Sequence, residues 1–281
     1  MAVREFRKLT TAIITRQMTA FMHDPDAPRP GNPIHSTDGG REYGYKAALI
    51  GGVNVYGWAT PVILEALGTT WLRNGWIEVA FRRPTYPGDE MTVHILAGSG
   101  EEFVLQMDNE EGQHCLLGTL GLGTAPWFDD LHAPAFMPGE ELPASLPQLS
   151  MANAPVDRDL RPRTVHLSSI EASDFSARMQ ADANPLYHGD KPLIHPAWLA
   201  GQMTRLLHHS YDYGPAIHAK SQIQNLAPAH AGQTLTVTGH CHEVYERKGH
   251  HYIVNDGAIW SQPGEELVRL RHTAIFQVAK R

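Results

Sequence analysis

Residues 51–67, GGVNVYGWATPVILEAL, lie between an Asn32-Pro33-Ile34-His35 loop and the strand-like run Trp76-Ile77-Glu78-Val79-Ala80-Phe81, and the reading of that stretch decides the fold. Val53, Tyr56, Ala59, Ile63, Leu64 and Leu67 leave little polar face, which predicts a helix buried on most sides. Pro61 in its middle predicts a kink or a restart. Further strand-like runs follow at 91–96, 103–107 and 115–122, the first of them after a Pro87-Gly88-Asp89 turn.

The same order of parts returns later in the chain. Asn184-Pro185-Leu186 follows Asn32-Pro33-Ile34 at an offset of 152, and Ala231-Gly232-Gln233-Thr234-Leu235-Thr236-Val237 follows Pro87-Gly88-Asp89-Glu90-Met91-Thr92-Val93 at an offset of 144. The difference of eight is what a shortened loop would produce. Between these landmarks lies a second apolar segment at 196–209, followed by strand-like runs at 217–224, 234–246, 250–260 and 266–278, with a turn at Gln262-Pro263-Gly264. The economical architecture is α+β: one central helix wrapped by an antiparallel sheet, made twice. A proline-rich stretch at 126–164 has no sustained period and reads as the linker between a unit at 1–125 and a unit at 165–281.

Composition narrows the function. The net charge is −7, from 23 basic and 30 acidic residues without a long like-charged block, so nucleic acid is an unexpected partner. Two cysteines give no disulfide framework and no paired zinc ligands, and the adjacent pairs His208-His209 and His250-His251 diverge on any regular element, so no metal site is expected. Charges interrupt the first 20 residues and no long apolar run follows, which predicts a cytoplasmic protein without a membrane span.

The Asn-Pro-Ile-His loop, the helix opening at Gly51-Gly52 and the strand ending in Arg82-Arg83-Pro84-Thr85-Tyr86-Pro87-Gly88-Asp89 together resemble the hot-dog fold of the MaoC-like acyl-CoA hydratases and dehydratases. The second half resembles it again, as a double hot dog: Asp182-Ala183-Asn184-Pro185-Leu186-Tyr187-His188 is similar to the family's Asp-x-Asn-Pro-Leu-His signature with one residue inserted. The resemblance implies reversible addition of water to a 2-enoyl thioester carried on CoA or an acyl carrier, with no metal or redox cofactor. An Asp and a His would activate one water, and backbone amides at a helix start would hold the thioester oxygen.

Neither half keeps the whole pattern. The first has His35 and the glycines, but Pro30 stands at the signature aspartate, leaving Asp26 and Asp38 as substitutes. The second has Asp182 and His188, but Tyr187 intervenes, and its helix opens with His195-Pro196, where proline offers no N–H. The first half is therefore expected to do the chemistry, with His35 as base, Asn32 positioning it and Gly51 and Gly52 as oxyanion donors; Asp182, Asn184, Tyr187 and His188 would form scaffold or pocket. The plainer alternative makes Asn32-Pro33 a turn, His35 a helix cap and the glycines packing residues. His195 reads equally as a cap, and Arg247 and Lys248 as contacts to phosphate or to solvent. Two rival functions remain, an acyl-CoA thioesterase and a non-catalytic acyl-binding protein. A homodimer is compatible with the sequence but not required by it, since two copies in one chain supply the pairing that single-copy relatives obtain by dimerising.

Overall fold

A computed structural model describes residues 12–261 and 264–279. The expected turn at Gln262-Pro263-Gly264 falls partly outside the described residues, as do the first 11 residues.

The first unit runs β1 (Ala12–Thr19), α1 (Thr37–Glu42), α2 (Gly52–Leu67), α3 (Trp71–Asn74), β2 (Gly75–Phe81), β3 (Glu90–Ala97), β4 (Phe103–Asp108) and β5 (His114–Leu122). The second runs β6 (Arg158–Asp159), β7 (Arg163–Leu167), α4 (Ser169–Asp174), α5 (Pro196–Ala200), α6 (Gln202–Ser210), β8 (Ile217–Asn225), β9 (Gln233–Arg247), β10 (His250–Ser261) and β11 (Glu266–Gln277). The first five strands lie side by side as β1-β3-β4-β5-β2, and β7-β9-β10-β11-β8 repeats that order. Antiparallel pairing of β2 with β8, from Trp76 opposite Gln224 to Ala80 opposite Lys220, joins the two sets into one sheet.

The alternation of buried and half-buried residues along β3 is what a strand with one covered face requires. The covering element is α2, whose residues 55–60 and 62–64 are buried. It does not restart at Pro61, one of the two outcomes the sequence predicts: the helix is unbroken from Gly52 to Leu67. Pro61 lies on the exposed side, where the helix continues past the missing amide to Leu67. The matching segment of the second half is broken at Gly201 into α5 and α6. α2 and α5 meet where Gly57 has no side chain: a Cβ there would fall 2.0 Å from Gln180 Oε1 and 2.8 Å from Ala197 Cβ.

The eight-residue offset has a structural cause. Both Asn-Pro loops form a three-residue 3-10 turn, Pro33–His35 and Pro185–Tyr187, but only the first half places a helix, α1, between that turn and its central helix. Within the stretch 126–164 lie a 3-10 turn at Phe128–Asp130, β6 and the start of β7. Part of its remaining chain is tied to the second set of strands. The His132 N–H donates to Asp256 Oδ2 at 2.7 Å, and Thr238 Oγ1 donates to the Pro134 carbonyl at 3.1 Å.

Candidate active site

Ser36 is the N-cap of α1, its hydroxyl accepting from the Gly39 N–H at 3.3 Å. His35 is thus not the cap. Its Nδ1 lies 2.7 Å from the Leu49 carbonyl. A carbonyl only accepts, so Nδ1 carries the proton and Nε2 presents a lone pair. Burial, the Leu49 bond acting in opposition, and the charge of Arg29 together hold the His35 pKa below its ordinary value of 6.5, which keeps the ring neutral at pH 7. A backbone carbonyl here orients the imidazole, the task a carboxylate performs in a His-Asp pair.

His35 lines three cavities, of about 230, 210 and 320 Å³, that meet at the start of α2. Among the described residues no acidic side chain lines any of them. Gly51, the N-cap of α2, lies beside the His35 ring, whose Cε1 would be 3.8 Å from a Cβ at that position. Helix geometry leaves the first-turn amides without carbonyl partners, so the Gly52 and Val53 N–H groups form the positive end of a 16-residue helix next to the imidazole. Gly52 is needed for close approach: a Cβ would meet His218 Cβ at 3.0 Å and Phe81 Cζ at 3.1 Å.

The other expected residues are placed differently. The Asn32 side chain makes no bond to the His35 ring: its amide is used in both directions by Ala216, donating to the carbonyl at 2.9 Å and accepting from the N–H at 3.1 Å, so it fastens the first loop to the second unit, while its backbone carbonyl accepts from the His35 N–H at 3.1 Å within the turn. Asp26 and Asp38 are exposed, and Asp38 faces Arg41 at 3.7 Å. In the second half it is Tyr187, not His188, that takes the place of His35 in the turn; Tyr187 is fully buried, and its ring lies 4.7 Å from that of His195. His188 turns back, Nε2 donating to the Asp182 backbone carbonyl at 3.0 Å. Asn184 accepts from the Leu186 N–H within its own loop.

Asp182 instead faces His195, a partner with no sequence signal beyond the helix start. His195 Nδ1 accepts from the Ala197 N–H at 3.2 Å, capping α5, and its Nε2 stands 3.4 Å from Asp182 Oδ2. Burial opposes ionisation of Asp182, but the His195 and Asn184 contacts prevail and lower its pKa; burial also lowers that of His195. Neither residue lines the cavities around His35.

Sequence reasoning missed His218 and His272. Their rings pack at 4.3 Å, and both line the second cavity with Phe175, Trp198 and Thr204. Burial lowers both pKa values, that of His218 well below 6.5 and that of His272 to about 4. Each is a single histidine on a strand, and only the folding of β8 and β11 beside α2 brings them to the site. Of the aromatics on the central helices, Trp198 lines the second cavity, whereas Tyr56 and Trp58 line none of the three. Among the described residues no cluster of three or more metal-ligating side chains occurs, and no helix is long and apolar enough to cross a membrane.

Two copies of a helix wrapped by five antiparallel strands, joined along β2 and β8, define a double hot-dog protein. No protein-family model and no curated protein matches the chain. Its structure is similar to that of a MaoC-like dehydratase, with a TM-score of 0.57 and 13% identity over 93% of this chain and 97% of the other. A conserved protein of Mycobacterium tuberculosis with a double hotdog fold gives a TM-score of 0.55 and 14% identity, covering 84% of each chain. A protein of Novosphingobium aromaticivorans DSM 12444, provisionally named a thioesterase, gives 0.50 and 12% over 94% of this chain and 95% of the other. At these identities the likeness establishes the fold.

Proposed function

We propose that the protein is a MaoC-like hydratase or dehydratase that interconverts 2-enoyl and 3-hydroxyacyl thioesters at the start of α2. The observation that carries this reading is the Nδ1 bond of His35 to the Leu49 carbonyl, which leaves Nε2 free as a base beside the open amides of a long helix. In the hydration direction, Nε2 takes a proton from water as the water oxygen bonds to C3 of the enoyl thioester. The C2–C3 π electrons move toward the thioester oxygen, where the Gly52 and Val53 amides stabilise the enolate. The imidazolium then returns its proton to C2. One histidine serves both transfers, which suits a site whose walls, among the described residues, hold no carboxylate. The same absence weighs against hydrolysis that relies on an acidic residue at the helix start.

Crotonyl-CoA tests the reading. Loss of the enoyl absorbance without release of free thiol is expected, whereas thiol release at the same rate would establish a thioesterase. His35→Ala should lower kcat by roughly 10²–10⁴. Because the working form of His35 is neutral and its pKa is lowered, kcat/KM should be flat around pH 7 and fall only below 6.5. Stabilisation of the protein by CoA thioesters without turnover at any chain length would leave only a binding function.

A further inference from the structure

The first cavity begins at His35 and Gly52 and ends at Arg82 and Arg83, and both arginines also line an open depression of about 600 Å³ formed with Gly112, Gln113 and His114. Both are exposed, and among the described residues neither guanidinium has an acidic partner, unlike Lys46, Arg161, Arg269 and Arg271, which face carboxylates at 2.5–2.8 Å. Across the mouth stands the β9–β10 hairpin. His250 and Tyr252 line the cavity, Arg247 is the register partner of His250, and Lys248 follows at the tip with φ 53°. Cations from both units therefore flank one opening on a chain whose net charge is −7. Between this rim and His35 the walls are mainly Ile34, Leu49, Ile50, Val55, Phe81 and Ile217, a narrow apolar passage with a charged exit.

We infer that the first cavity receives the pantetheine arm of the substrate, with Arg82 and Arg83, joined by Arg247 and Lys248, binding the phosphate groups of its carrier. Planar guanidiniums at an exposed rim suit phosphate oxygens, which they can meet with paired charge-assisted hydrogen bonds. The second cavity, with Phe175 and Trp198, is then left for the acyl group. This assignment deepens the proposed function, and takes from it that the reaction occurs at His35.

Calorimetry with coenzyme A alone tests the rim independently of any reaction. The Arg82→Ser/Arg83→Ser variant should bind coenzyme A at least roughly tenfold more weakly than the wild type, with a smaller salt dependence. In turnover, the variant should raise KM for crotonyl-CoA by a similar factor, keep kcat within about twofold and leave crotonyl-pantetheine, which has no phosphate, unchanged. Crotonyl on a phosphopantetheinylated carrier protein separates the two phosphate sources: sensitivity confined to that form assigns the rim to a protein carrier. Equal loss with crotonyl-pantetheine, or unchanged binding of coenzyme A and carrier alike, would overturn the inference. Arginine-dependent binding of coenzyme A with no hydration would keep the rim assignment and remove the hydratase reading.

Discussion

His35 and Tyr187 hold the same position in two matching 3-10 turns, yet one ring opens on three cavities and the other is sealed in the core. The difference lies in the partners: a backbone carbonyl leaves a lone pair on His35, while Tyr187 packs against His195. The two glycines beside His35 also part company. A Cβ on Gly51 would make an ordinary contact with His35, whereas one on Gly52 would press on His218 and Phe81. Gly52→Ala should therefore cost roughly 1–3 kcal/mol of stability by thermal or chemical melting, and disturb the site, while Gly51→Ala stays close to wild type in stability. Equal melting of the two variants would mean that His218 yields freely. The Asn-Pro motif and the glycines were legible in the sequence as a candidate site. The use of Asn32 was not, because its partner Ala216 lies 184 positions away and a backbone group leaves no signature in residue type.

At the scale of elements, α2 and α5 show how one helix start stays open and another closes. α2 begins with glycines and has no side-chain cap; α5 begins with Pro196 and is capped by His195, which in turn faces Asp182. The missing proline amide was readable, whereas the His195–Asp182 pair needed the loop from 182 to 195 to fold back on itself. The proline-rich crossing between units likewise looked featureless because its order comes from distant groups. Asp256, fully buried on β10, accepts two bonds from Arg271 at 2.5 and 2.7 Å and one from the His132 N–H. Asp256→Ala leaves a partly buried guanidinium with only the Asp130 carbonyl as partner and a backbone donor unpaired, and should cost about 3–5 kcal/mol in denaturant unfolding. A loss below about 1 kcal/mol would show that solvent replaces the carboxylate and that the crossing is held elsewhere.

Across the whole molecule, burial sets the pH response. His35, His195, His208, His218 and His272 all have pKa values lowered by desolvation, so the unfolded chain binds more protons than the folded one between 6.5 and the folded values. Stability is fully present above 6.5 and should decline steadily as pH falls, until about 4 for His272, with the slope set by these groups together. Denaturant midpoints at pH 8, 6 and 5 measure it; a midpoint constant over that range would mean that the imidazoles gain solvent without unfolding. His272→Leu should flatten the profile below pH 6, since it removes one such group and the unbonded Nδ1 it carries.

The duplicated order of loop, helix and strands was written in the sequence, because apolar periodicity and turn residues are local properties of the chain. That was enough for the α+β class, the two halves and the resemblance to a double hot dog. Which half is open, which histidines face the cavities and which cations stand at their mouth depended on β2 pairing with β8 and on α2 crossing α5 at Gly57. Those contacts join residues far apart in the chain through backbone bonds and shape, and neither can be read from the identity of the residues alone.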